Sequence, residues 1–431
     1  MRKILVPLLT LLMLLNLPGC GSRPTASGAV SFAVFGDLVE LAAYQKLADA
    51  FHSRFASIRI ELRNAPSESD YRRQLTAGFA AGAPPDIMLL NFRRFAAFTA
   101  PGGLQPLGPY LVASAVIHEA DFYPQALEGF RLDNQLWCIP QNISSLVLYY
   151  NRDLFDAVGL SYPAADWTWD DFLAAARVLT RDDTGDGRPE QYGAGMAPSL
   201  IRLAPFIWAN GGDIVDDLDH PTRLTLDSPE AQAAFQWFVN LQVKEKVTPD
   251  AVAEQSESSE NRFLDGRLAM FFNSRRGVPT YRAIKTFAWD VAPLPVGPQG
   301  TAAILHADGY CLAAAAPNKD AAWQFIEFAN SVEGQKIMAE TGRTVPSLRQ
   351  VAESAAFLTP AQEPASSQVF LDVIPGIRRL PLLPNWVGIE ETANREIERA
   401  FYGQASVAEA TAAAVAQTLS YFQLAIPTQP K

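Results

Sequence analysis

Cysteine and histidine are scarce: three of the one and four of the other in 431 residues. Three cysteines in so long a chain cannot form a disulfide scaffold, so the fold must rest on a hydrophobic core. The histidines (His52, His118, His220 and His306) are scattered with no ligand-like spacing, which excludes a paired-histidine zinc helix and points to no metal. Also missing are a phosphate-cradling P-loop, a dinucleotide glycine fingerprint and a Gly-x-Ser-x-Gly elbow. No cofactor is expected. Positive charge is in deficit, with 35 Lys and Arg against 46 Asp and Glu and a net charge of −11. Such a surface repels nucleic acid and anionic lipid head groups, so no nucleic-acid partner is expected. After the N-terminal segment no stretch is apolar enough to cross a bilayer.

What is present is a folded-protein composition, 48% hydrophobic and 19% charged, in a chain too long for one ordinary core. Two domains are the expectation. Arg2 and Lys3 precede an apolar run over residues 4–17, which ends in Leu17-Pro18-Gly19-Cys20. This reads as a secretory signal over residues 1–20, and its end resembles a bacterial lipobox. Pro18 departs from the small or β-branched residue usual at that place. Diacylation of Cys20 would tie the mature chain to the membrane by lipid; plain signal cleavage nearby is the alternative. Residues 21–28 are small and polar, as in a flexible tether.

A strand over residues 30–35 is followed by a helix with Leu41, Tyr44, Leu47, Ala48, Phe51 and Phe55 on one face. Ile58, Ile60 and Leu62 alternate, Ser67 and Asp70 cap a second helix, and residues 86–91 read as a buried strand. This is the rhythm of a parallel α/β sheet. In such sheets the ligand crevice lies outside the carboxyl ends of the strands, where Asp37 and Asn91 fall.

Residues 137–156 (WCIPQNISSLVLYYNRDLFD) place Pro140 and the polar Gln141, Asn142, Ser144 and Ser145 between two apolar, strand-like runs. That suits a crossover between two lobes, with polar side chains facing a cleft; a surface loop in a single domain is the other reading. Residues 306–312 repeat the pattern, with Asp308 and Gly309 ahead of Tyr310. Residues 182–190 begin like a calcium loop, but the third position is Thr184 and Gly193 stands where a bidentate Glu belongs. An acidic, glycine-rich turn is the simpler reading. From residue 321 the pattern is almost entirely helical, broken at residues 375–384.

The remaining polar and aromatic side chains at the expected crevice are Gln141, Asn142, Asn210, Asn273, Arg275, Arg343, Tyr150, Trp208, Tyr310 and Trp386. Amides, carboxylates and guanidinium groups offer fixed forks for vicinal hydroxyls, and indole or phenol faces cover the C–H face of a pyranose. Taken singly, each aromatic is as well read as core, and each amide as a cap.

Several segments resemble, in order, the bacterial family 1 extracellular solute-binding proteins, the maltose-binding-protein-like receptors of ABC importers. They are Gly82-Ala83-Pro84-Pro85-Asp86-Ile87, the run from Asn142 to Phe155, the turn over residues 180–193, FIWANGG at 206–212, LDGRLAMF at 264–271, AAPNKDAAWQF at 315–325 and TGRTVP at 341–346. Gln141 and Ala157 depart from the family pattern, and the Asn273-Ser274-Arg275-Arg276 corner is more cationic than usual.

The resemblance implies an α/β, two-lobed periplasmic-binding-protein type II fold. Each lobe is expected as a mostly parallel sheet flanked by helices, with a helical C-terminal extension. Residues 29–139 and 273–309 are assigned to lobe 1, and residues 140–272 and 310–431 to lobe 2. Crossings are expected at residues 139–142, near 271–274 and at 308–312. It further implies a monomeric, extracytoplasmic, lipid-anchored receptor that binds a mono- or oligosaccharide without catalysis and docks on an ABC permease. The expected ligand contacts are Asp37, Asn91, Gln141, Asn142, Tyr150, Trp208, Asn210, Asn273, Arg275, Asp308, Tyr310, Arg343 and Trp386. Cys138 and Cys311 fall at two expected crossings, either as a hinge disulfide or as two buried thiols. The rival functions are a secreted glycoside hydrolase or lyase using Asp37 and Asp308, and a same-fold receptor for an anionic solute using Arg275, Arg276 and Arg343.

Overall fold

A computed structural model describes residues 28–359 and 361–425; the expected signal, Cys20 and nearly all of the tether lie outside them. Strand β1 (Gly28–Phe35) is buried from Val30 onward, as befits a strand covered on both faces. At its end Gly36 takes φ 139°, and a Cβ there would meet Glu40 Oε2 at 1.8 Å. Only glycine lets the chain turn this tightly into helix α1 (Leu38–Arg54). Asp37 caps α1, its carboxylate accepting the Val39 and Glu40 N–H groups at 2.9 Å each. Strand β2 (Ile58–Ala65) and, after helix α2 (Glu68–Ala80), strand β3 (Ile87–Asn91) pair in parallel on either side of β1. Ser67 caps α2 through the Asp70 N–H.

Short strands β4 (Leu104–Gln105) and β5 (Cys138–Pro140) complete this half before the chain crosses to β6 (Leu146–Asn151). The second half adds α3 (Trp169–Leu179), whose capping box is Thr168 with Asp171, then β7 (Tyr192–Gly195), α4 (Leu200–Ala209) and α5 (Pro229–Val243). Strands β8 (Leu268–Ser274) and β9 (Trp289–Ala292) follow. The chain returns through β10 (Asp308–Ala313), α6 (Lys319–Ala329) and α7 (Val332–Ala339), and ends in α8 (Trp386–Phe401) and α9 (Val407–Ala425).

The strands form two separate main sheets. The first runs β2-β1-β3-β10-β4, with β5 also on β10; the second runs β9-β6-β8-β7. Both are mixed, which corrects the expectation of mostly parallel sheets. Strand β10 is antiparallel to β3, and in the second sheet only β7–β8 is parallel. The cause is the crossing itself. Strand β10 enters its sheet at the end where β3 leaves, with Asp308 opposite Asn91, so it must run the other way.

The lobe boundaries also shift. Residues 289–292 pair with β6, and Tyr281 packs on Tyr149 and Trp289, so this part of the 273–309 segment belongs to the second lobe. Residues 310–339 belong to the first: Phe325 of α6 packs on Phe32 and Phe51. Helices α8 and α9 return to the second lobe, where Phe401 meets Phe238 and Gln232 Nε2 donates to Thr411 Oγ1 at 3.0 Å.

Three extended segments lie side by side where the lobes meet. Ser144 and His306 exchange backbone hydrogen bonds of 2.8 Å, and Ile143 N donates to Val345 O at 3.0 Å. The crossing expected near residues 271–274 is instead the end of β8, bonded to β6. The true second crossing is residues 304–308. Residues 343–347 run beside these segments and return to the first lobe, where Ser347 Oγ donates to Pro140 O at 2.5 Å and Arg349 Nε to Phe122 O at 3.1 Å. Beside the crossings Cys138 and Cys311 sit directly opposite in the β5–β10 pair, with sulfurs 1.96 Å apart and Cα atoms 4.4 Å apart. They form a disulfide, and the two-thiol reading is set aside. The loop over residues 182–190 takes the form of a turn: Asp182 accepts the Gly185 and Gly187 N–H groups at 2.7 and 2.8 Å.

Candidate functional site

A cavity of about 230 Å³ lies between the lobes at the crossings. The first lobe contributes Phe35 at the end of β1, Glu40 and Tyr44 of α1, Glu68 at the start of α2, Asn91 at the end of β3 and Arg93 just after it. The crossings contribute Gln141, Asn142, Ser144, His306 and Asp308, and the segment beside them Arg343. The second lobe contributes Ile201 and Arg202 from the first turn of α4, Ser274 at the end of β8 and Arg276 just beyond it. A groove of about 510 Å³ continues from it, sharing Arg202, Ser274, Arg276 and Arg343.

The floor is one hydrogen-bonded chain. Gln141 Nε2 donates to the hydroxyls of Tyr310 (2.9 Å) and Tyr44 (3.2 Å). Asn142 Nδ2 donates to Gln141 Oε1 at 3.2 Å, and Asn142 Oδ1 accepts the Asp308 N–H at 3.2 Å. Asn91 Nδ2 reaches Asp308 Oδ1 at 3.1 Å, Arg93 Nε reaches Asn91 Oδ1 at 3.1 Å, and Arg93 pairs with Glu390 of α8. The network thus runs from the first lobe through the hinge to the second. Each amide is held by its neighbours, so its remaining polar atoms are pre-oriented toward the cavity.

Charges bridge the lobes at the rim. Arg276 of the second lobe pairs with Glu40 of the first at 3.1 Å and lies over the Phe35 ring at 5.2 Å. Arg343 binds Asp37 at 2.9 Å and lies 3.7 Å from Glu40. Burial pushes the Glu40 carboxyl above its ordinary value, although Arg276 and Arg343 oppose this. Asp37 lies below the ordinary carboxylate range; partial desolvation opposes the shift, and the Glu40 and Val39 N–H groups with Arg343 outweigh it. Burial, with Arg93 and Arg202 close by, pushes His306 down to about 3. The imidazole is therefore neutral in the ordinary range.

Of the expected contacts, Asn91, Gln141, Asn142, Asp308 and Arg343 meet in the cavity. Tyr310 lies directly behind them on Gln141, Asp37 holds Arg343 at the rim, and Asn273 lines the adjoining groove with its Nδ2 on the Tyr281 hydroxyl at 2.6 Å. Five others do not reach it. Tyr150 packs on Phe155 and Tyr162 in the second lobe. Trp208 is buried beneath the Arg378 guanidinium, 4.7 Å from its ring, beside a separate small pocket. Asn210 caps α4 and donates to Glu230 O at 2.8 Å. Arg275 is 1% exposed, between the Phe357 and Phe370 rings, with Nε on Gly342 O at 2.8 Å. Trp386 is fully buried in the first turn of α8. No tryptophan platform therefore faces the cavity among the described residues; its aromatic lining is Phe35 and Tyr44. Glu40, Tyr44, Glu68, Arg93, Ser144, Arg202, Ser274 and His306 are lining residues that the sequence reading did not single out as contacts. Glu40 and Arg93 carried a signal, each lying two or three residues beyond a strand end already marked.

Two mixed sheets joined by crossings over a polar cavity define a two-lobed, clamp-type binding protein. The chain belongs to the bacterial extracellular solute-binding protein family, whose model matches residues 36–336. It is a solute-binding protein of the ABC-importer class and works outside the cytoplasm. It is 24% identical over 326 residues to the maltotriose-binding protein of Pyrococcus abyssi, covering 72% of this chain and 65% of that one. It is 24% identical over 343 residues to the mannitol-binding protein of Pseudomonas aeruginosa, covering 75% and 74%. An ABC substrate-binding protein of Listeria monocytogenes, solved in complex with cycloalternan, superposes with a TM-score of 0.82 at 23% identity, covering 92% and 98%.

Proposed function

We propose that the cavity binds a small carbohydrate or polyol, and that the closed, monomeric receptor hands it to a membrane permease. The observation that carries this reading is the row Gln141, Asn142, Asp308 and Asn91, fixed by mutual hydrogen bonds where the two lobes meet. Planar amides and a carboxylate in fixed positions suit vicinal hydroxyls. The names of the Pyrococcus and Pseudomonas relatives support the same class. Binding without turnover fits Asp37, whose carboxylate is held by two backbone N–H groups and Arg343. Lipid attachment at Cys20 would keep the receptor near its permease.

A thermal-shift screen against neutral mono- and oligosaccharides and polyols tests the reading. A ligand at a hundred times its Kd adds about 2.7 kcal/mol to stability, a shift of several degrees. No shift with any of them would sink the proposal. Membrane retention tests the anchor: Cys20→Ala should release the protein into the soluble extracytoplasmic fraction, and continued attachment would contradict it.

A further inference from the structure

Arg202 and His306 differ from every other charged or titratable side chain lining the cavity. The other lining guanidiniums have carboxylate partners: Arg93 has Glu390, Arg276 has Glu40, and Arg343 has Asp37. The Arg202 guanidinium has neither an ion pair nor a hydrogen bond among the described residues, and its Nε is sealed from solvent. The His306 Nε2 is likewise sealed and without a partner. A buried donor left unpaired is costly, and more so when it is charged. Two such groups on one cavity, one from the second lobe and one from the crossing, mark a place where the ligand supplies the partner.

The sign of that partner follows from the surroundings. Arg93 and Arg202 both act electrostatically on His306, so positive potential converges there. Arg202 also stands in the first turn of α4, the positive end of the helix dipole. The acidic groups nearby are engaged by other partners. Glu40 is held by Arg276 and Arg343, and Glu68 by Arg94 at 2.9 Å; Glu260, which acts on Arg202 across the adjoining groove, accepts the Tyr281 hydroxyl at 2.7 Å. Asp308 takes a side-chain hydrogen bond from Asn91 and keeps acceptor capacity for hydroxyls.

We propose that the solute carries an anionic group, a carboxylate or a phosphate, which seats on Arg202 and His306 while its hydroxyls meet Asp308, Asn142 and Gln141. This rests on the carbohydrate reading above and narrows it to acidic sugars or sugar and polyol phosphates. His306 remains neutral and donates from one ring nitrogen without needing a proton from solvent. Arg202 supplies the charge.

The test is titration calorimetry at low ionic strength with matched probes: a set of hexoses, their uronates and their 6-phosphates. At least one acidic probe should bind about tenfold or more tightly than its neutral parent. Uronate against phosphate separates the two sources of charge. Arg202→Gln should collapse that ratio toward one, and Arg202→Lys should restore part of it. Removing an unpaired buried cation relieves the cost set out above, so Arg202→Gln should melt no lower than the parent. If neutral hexoses bind and no acid binds better, the inference fails and the carbohydrate reading stands. If no sugar binds yet inorganic phosphate raises the melting temperature in an Arg202-dependent way, the anion subsite stands and the carbohydrate reading fails. Silence from every probe, phosphate included, overturns the inference.

Discussion

Arg275 and Arg276 are neighbours with opposite fates. Arg275 points into the second lobe between two phenylalanine rings, where burial pushes its guanidinium down to about 10. Arg276 turns to the cavity and meets Glu40. Arg275→Ala removes a buried cation together with its bonds to Gly342 O and Ser367 Oγ. It should cost about 2–4 kcal/mol in chemical denaturation, with ligand affinity in the cold little changed. A variant of normal stability that had lost affinity would contradict this assignment. His306 gives a pH dependence. Its ordinary value is near 6.5 and its folded value about 3. Above the higher value both states are neutral; as the pH falls between the two, only the unfolded chain takes up the proton. Stability should therefore decline with falling pH across that window, by up to about 1.4 kcal/mol per unit from this residue. His306→Gln should flatten the slope of denaturation midpoints measured at pH 7, 5 and 4; an unchanged slope would place the effect on other groups.

Among the elements, β10 does the most. It begins at the cavity with Asp308, pairs with β3 and β5, and carries the cystine partner of Cys138. The disulfide ties two strands whose ends are crossings, and it closes a loop of sequence separation 173. A double Cys138→Ala, Cys311→Ala variant should lose about 2–5 kcal/mol in denaturant titration. Protein lacking residues 1–27 should show no free thiol when denatured without reductant; two free thiols would refute the bond. At this scale much was legible from sequence. Helix α2 declared itself through Ser67 and Asp70, because capping is a local interaction, and α1 through its apolar face from Leu41 to Phe55. Asn91, Gln141, Asn142 and Asp308 were legible because strand ends and a proline break place side chains at a crevice whatever the detailed packing. Trp208, Trp386 and Tyr150 were not, since an indole or phenol serves a core as readily as a ligand, and only tertiary packing decides. The lobe assignment of residues 289–292 failed for a related reason. Their pairing with residues 148–151 lies across more than a hundred residues, and no local pattern reports it.

The whole molecule is a clamp held shut by contacts between its jaws as well as by its guest. Arg93–Glu390 is a largely desolvated pair between the lobes, Arg276–Glu40 is partly exposed, and Arg72–Glu391 is on the surface. Breaking the most buried of these leaves an unpaired charge and should favour the open form, whereas the surface pair contributes at most about 1 kcal/mol. In ligand-free protein, Arg93→Ala should therefore raise the radius of gyration measured by X-ray scattering, with Arg72→Ala changing it little. Equal scattering from the two variants would remove the latch from the account.

A solute held unaltered on the polar floor where the lobes meet must bind more weakly when that floor is cut. Titration calorimetry of a saccharide taken from the thermal-shift screen, on the parent protein and on Asp308→Ala, measures this. One site per chain is expected, with a loss of about tenfold or more in the variant, about 1.4 kcal/mol, and the melting temperature of the free protein little changed. Equal affinity in parent and variant would contradict it, because the solute would then lie away from Asp308.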